Sequence, residues 1–172
     1  MSTSSYAVGL GMGLWVAAVA GASAPIDTKH LTVAAPPVSV AVAPGARVSL
    51  TLDVTPKRTM HVYAPEQKDA GFIPISLTID PDPAITASAV QFPRPERLRT
   101  LDDVQLVYSK PFRIVQPVIV AATPAVRNRA RTPGATVAIT GTLRYQACDD
   151  TICYVPVTVP VAWTIPLQPA TR

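Results

Sequence analysis

Cysteine and histidine are scarce in this sequence: its 172 residues include two of each. A closed zinc site takes four ligands, and a blue-copper centre takes two histidines with a cysteine and an axial methionine. His30 and His61 lie far upstream of Cys148 and Cys153, and neither histidine nor methionine follows Cys148. No metal and no other cofactor is therefore expected. Charge is also sparse, at 15% of residues with a formal net charge of +4. The small groups Arg94–Arg99 and Arg127–Arg131 are not interleaved with aromatics, which argues against the concentrated basic face that nucleic-acid binding requires. Proline is not scarce, and few twelve-residue segments after the N-terminus escape one, because 19 prolines are spread from Pro25 to Pro169. A proline inside a helix costs about 3 kcal/mol, so a helical bundle is excluded.

What is present is apolar. Hydrophobic residues make up 48% of the chain, which argues against disorder and, at this length, for one domain with a real core. Tyr6–Ala24 carries no charge, and its apolar part Leu10–Ala20 leads into Gly21-Ala22-Ser23-Ala24. That is the pattern of a signal peptide over residues 1–24, cleaved near 20–24. A membrane anchor over 6–24 is the rival reading, disfavoured by four glycines and no flanking positive charge. Either way the remainder would face an oxidising compartment, where disulfides form and exchange.

After a flexible lead-in over 25–37, the pattern becomes period two. Val48, Leu50, Leu52 and Val54 alternate with polar residues, as do Ile75, Leu77 and Ile79. Ile114–Ala121 is more continuously apolar, and Val137, Ile139, Leu143 and Tyr145 alternate again. The last run places Val155, Val157, Val159, Val161, Trp163 and Ile165 on one face. Turn signals at Pro44-Gly45, Pro81-Asp82-Pro83, Pro93-Arg94-Pro95 and Pro133-Gly134 separate the runs. These features predict an all-β, immunoglobulin-like antiparallel sandwich of seven or eight strands. Pro93–Val107 reads as a long loop. Pro156 and Pro160 remove ladder donors, so the last strand is predicted at a sheet edge.

The two cysteines fall at the tip of the hairpin joining the last two strands, with Asp149-Asp150 as turn formers. Four intervening residues let the sulfurs meet. Closing so short a loop restricts the unfolded chain by only roughly 2 kcal/mol, a small return for a structural staple. Spacing alone leaves two readings open: an exchange centre, or a non-catalytic immunoglobulin-like binding module with a structural disulfide. Asp149 and Asp150 oppose thiolate formation, so the reduced pair would attack slowly and depend on a docked, more reactive partner thiol.

The run Tyr145-Gln146-Ala147-Cys148 through Cys153-Tyr154-Val155-Pro156 resembles the N-terminal periplasmic domain of the DsbD thiol–disulfide interchange reductases. His61-Val62-Tyr63-Ala64 is similar to that family's aromatic strand beside the active site. Val90-Gln91-Phe92-Pro93, Asp102–Tyr108 and Pro117-Val118 follow its order of segments. The resemblance implies that residues 38–168 form the sandwich and that Cys148 and Cys153 are the redox pair, with Cys153 forming the mixed disulfide. It implies surroundings that include Tyr63, His61, Tyr145 and Tyr154, and a cap over the pair at about Asp102–Tyr108, bringing in Asp102 and Asp103. The cap segment Asp103-Val104-Gln105-Leu106 lacks the family's Phe-Tyr pair. The implied partners are a thioredoxin-like protein or a membrane-embedded thiol electron transporter, and exported disulfide-containing proteins. A chain ending at Arg172 is expected to draw on separate proteins for the family's membrane and thioredoxin-like parts.

Overall fold

A computed structural model describes residues 24–67, 71–99 and 103–169. The leader-like segment 1–23 lies outside the described residues. In chain order the elements are β1 (Ile26–Asp27), β2 (Leu31–Ala34), β3 (Arg47–Pro56), β4 (His61–Tyr63), β5 (Ser76–Ile79), β6 (Ile85–Ala87) and β7 (Glu96–Arg99). They continue with β8 (Val104–Tyr108), β9 (Phe112–Val120), α1 (Pro124–Arg129), β10 (Thr136–Tyr145), β11 (Ala147–Cys148) and β12 (Val157–Pro166). Strand pairs are antiparallel throughout, in sheets ordered β1-β2-β3-β9-β6, β12-β10-β5 and β11-β4-β8-β7. The architecture is an immunoglobulin-like β-sandwich.

The period-two runs become the two faces of the sandwich. Leu50, Leu52 and Val54 of β3 and Ile114 and Val118 of β9 meet Ile139, Leu143, Val161 and Ile165 of β10 and β12 in one continuous core. Each such side chain contributes about 1.5–3 kcal/mol on burial. Trp163, 3% exposed, crosses between the sheets and donates its indole N–H to the Thr51 carbonyl at 2.8 Å. Gly141 lets β5 approach β10, since a Cβ there would lie 2.6 Å from the Thr78 carbonyl oxygen. As predicted from its prolines, β12 is an edge strand. The short helix α1 starts on Thr123, whose hydroxyl accepts from the Val126 N–H at 3.3 Å, with Pro124 in its first turn.

Three expectations are corrected. The lead-in 25–37 contains β1 and β2, and Leu31 and Val33 are fully buried where β2 pairs with β3. Their alternation is only four residues long, too short to stand out beside Pro36-Pro37. The stretch predicted as a long loop over 93–107 contains two strands, since β7 pairs with β8 over Glu96↔Val107 to Arg99↔Val104. Finally, Val155 does not join the buried face of β12. It precedes the strand and is 80% exposed.

Candidate functional site

β10 ends at Tyr145, and the chain steps over Gln146 into the two-residue β11, which adds to the edge of the third sheet beside β4. Gln146 brackets this step. Its side-chain carbonyl accepts from the Ile73 N–H at 3.0 Å and its amide donates to the Tyr154 carbonyl at 3.1 Å. Tyr154 N–H in turn donates to the Ala147 carbonyl at 2.8 Å, closing the hairpin below the cysteines. Cys148 and Cys153 are joined by a disulfide with their Cα atoms 4.0 Å apart. The two cysteines differ in environment: Cys148 is 1% exposed, whereas Cys153 is exposed.

Asp149 organises the turn. Its Oδ1 accepts from the Thr151 hydroxyl at 2.7 Å, the Thr151 N–H at 2.8 Å and the Ile152 N–H at 2.9 Å. Oδ2 accepts from the Tyr154 hydroxyl at 2.7 Å. These donors, the Thr151 hydroxyl foremost, hold the carboxyl well below the usual carboxylate range. The acid that the sequence presents as an opponent of the thiolate is thus also the cap of its own loop.

A cleft of about 310 Å³ borders the disulfide. β4 supplies His61 and Tyr63, the β7–β8 hairpin supplies Leu98, Arg99 and Gln105, and the cysteine loop forms the remaining wall. The Tyr63 ring stacks on Phe72 at 4.2 Å and meets the edge of His61 at 5.6 Å. Its hydroxyl lies 3.4 Å from Gln105 Oε1 and 3.8 Å from Cys153 Sγ. Burial pushes the Tyr63 phenol up and the His61 imidazole down from their ordinary values. Tyr63, Val107 and Cys148 form a small apolar cluster of their own, with Phe72 and Leu98 packed against it.

His61 and Tyr63 therefore stand beside the cysteine pair. Tyr145 does not: it is fully buried in the main core, with its hydroxyl 2.9 Å from the Thr28 hydroxyl. Tyr154 sits on the outer side of the loop, over His30 at 4.5 Å and under the Lys29 ammonium at 4.8 Å. Asp103 is exposed, accepts from the Val104 N–H at 2.6 Å, and is not in the cleft wall. Asp102 lies outside the described residues. Phe72, Leu98, Arg99, Gln105 and His30 are not among the site residues that the sequence suggests, although Gln105 lies inside the cap-like segment. Among the described residues, no three His, Cys, Asp or Glu side chains converge as a metal site, and no helix is long and apolar enough to cross a membrane.

Residues 30–163 match the family described as thiol:disulfide interchange protein DsbD, N-terminal. Among solved structures, the reduced DsbD N-terminal domain of Neisseria meningitidis is 16% identical, covers 73% of this chain and 82% of its own, and superposes with a TM-score of 0.45. The same organism's complex of the DsbD and PilB N-terminal domains matches at 15% identity, 66% and 73% coverage and a TM-score of 0.44. The N-terminal periplasmic domain of ScsB from Proteus mirabilis is 14% identical over 86% of this chain and 50% of its own, with a TM-score of 0.48. No curated protein matches the chain.

Proposed function

Because the chain belongs to the family of the DsbD N-terminal domain, we propose that it is a periplasmic thiol–disulfide relay acting through Cys148 and Cys153. In the reductive direction, the Cys153 thiolate attacks a disulfide in an exported protein, and the first partner sulfur leaves as a thiol. Cys148 then attacks Cys153 Sγ, the bond to the partner breaks, and the Cys148–Cys153 disulfide forms again. Two electrons and two protons pass to the partner. A thioredoxin-like or membrane-embedded dithiol reloads the pair by the reverse steps.

The observation that carries this reading is the asymmetry of the pair. Cys153 is an exposed residue and Cys148 a buried one, which suits attack by the first and resolution by the second. Ile152, 55% exposed, directly precedes Cys153, and the exposed Val155 follows two residues on, apolar surface that suits a docked partner. That the DsbD N-terminal domain of Neisseria meningitidis forms a complex with a PilB domain supports a protein partner here as well. Export rests on the leader-like residues 1–24.

Equilibration of the pair against glutathione and dithiothreitol tests the reading. A potential above about −300 mV, with exchange between the protein and a thioredoxin-like dithiol, is expected. A potential far below that value, together with no exchange, would establish the bond as a staple.

A further inference from the structure

His61 on β4 and Cys148 on β11 are register partners. Directly opposed residues on antiparallel strands share a face and hold their Cβ atoms about 4.5–5.5 Å apart. Both side chains line the cleft beside the disulfide. His61 is 7% exposed, and its Nε2 is buried with no hydrogen-bond partner. An orphaned polar atom is costly to bury, and this one sits across the ladder from a buried sulfur.

We propose that His61 is the proton acceptor for Cys148 in the resolving step. This inference rests on the exchange reading of the cysteine pair. In the mixed disulfide, Cys153 is bonded to a partner sulfur and Cys148 is a thiol. The Cys148 proton moves to Nε2 of an imidazole protonated at Nδ1, and the thiolate electron pair attacks Cys153 Sγ. The Cys153–partner bond breaks, and its electron pair leaves on the partner sulfur, which takes up the proton that His61 releases. The disulfide is restored, the partner holds two more electrons, and His61 is neutral again.

The groups around the ring suit both of its states. Burial favours the neutral imidazole, while Asp150 and Asp149 favour the imidazolium once it forms. From the β7–β8 side, Glu96 and Arg97 share a second cleft with His61 and Asp150, and Glu96 is held by Lys110 at 3.1 Å. Arg99 lines the first cleft. Tyr63, on the same face of β4, stays protonated because burial pushes its phenol up. Without an acceptor, a buried thiol beside two aspartates would ionise only above its usual value of about 8.5.

The aromatic disulfide dithiobis(nitrobenzoate) isolates this step when added to the reduced protein. Attack by Cys153 releases one thionitrobenzoate, and resolution by Cys148 releases the second. In the wild type, the rate of the second release should be level between roughly pH 6.5 and 8, because the proton moves between two protein groups, and should fall at lower pH as His61 protonates. His61→Gln should slow the second release ~100-fold at pH 7 and make it rise tenfold per pH unit. A wild-type rate that itself climbs tenfold per unit across that range overturns the assignment, as does a His61→Gln variant with the wild-type rate and profile. The wild-type profile decides the matter even if the variant does not fold. Failure of the exchange reading is seen separately, in the potential and in the exchange with a dithiol partner.

Discussion

The sandwich core and the cluster around Cys148 are both made of alternating β-strand residues, yet they differ in scale and in what they enclose. The first is continuous across two sheets and contains Leu50, Ile139, Trp163 and Ile165. The second is three buried residues, Tyr63, Val107 and Cys148, on a sheet whose β4 and β11 are only three and two residues long. Stability is concentrated in the first, while the second holds reactive and titratable groups close to solvent. The Cys148–Cys153 bond belongs to the second region, and Cys148 is not part of the main core.

Loss of a core side chain should give the largest effect. Trp163→Ala removes a buried indole and its bond to the Thr51 carbonyl, and is expected to cost about 3–5 kcal/mol in denaturant unfolding. Removing the disulfide as Cys148→Ala with Cys153→Ala should cost only about 2 kcal/mol and leave the fold intact, while abolishing exchange. A loss as large as that of Trp163→Ala would erase the contrast between the two regions.

The pH response is a smaller effect and involves both buried histidines. His30 and His61 are each pushed below their ordinary value, chiefly by burial, with Lys29 and Lys57 adding to the effect at His30. The unfolded chain therefore takes up a proton near pH 6.5 that the folded protein resists. Stability should be level above about pH 7 and decline as pH falls below 6.5, by at most about 1.4 kcal/mol per pH unit per histidine. His30→Phe, which keeps a ring against Tyr154, should remove its part of that slope in denaturant midpoints measured from pH 7.5 to 5. Tyr63→Phe is expected to have the smallest effect on stability, within about 1 kcal/mol, since it loses only long contacts to Gln105 and Cys153. Its effect would appear instead in the rate of exchange.

The same contrast explains what the sequence revealed. Long period-two runs such as Val137–Tyr145 announce their buried face, and they became β10 and its neighbours. β7 could not be read this way, because Arg97 and Arg99 are exposed and its strand state comes from pairing with β8. The cysteine motif was visible because its residues are contiguous, as was the His61–Tyr63 strand through family resemblance. Phe72, Leu98 and His30 come to the site or its loop only through tertiary pairing. Tyr145, although adjacent in sequence to the motif, keeps the buried alternation of β10 and faces the main core. Val155 kept the right spacing for the buried face but fell before the strand began.

In the proposed relay the exposed Cys153 makes the bond to a partner and the buried Cys148 resolves it. The direct measurement is trapping with a thioredoxin-like protein lacking its own resolving cysteine, followed on non-reducing gels. Cys148→Ala, which leaves the exposed Cys153, should accumulate the mixed disulfide, and Cys153→Ala should give almost none. Equal trapping by both variants, or trapping by Cys153→Ala alone, would contradict the account.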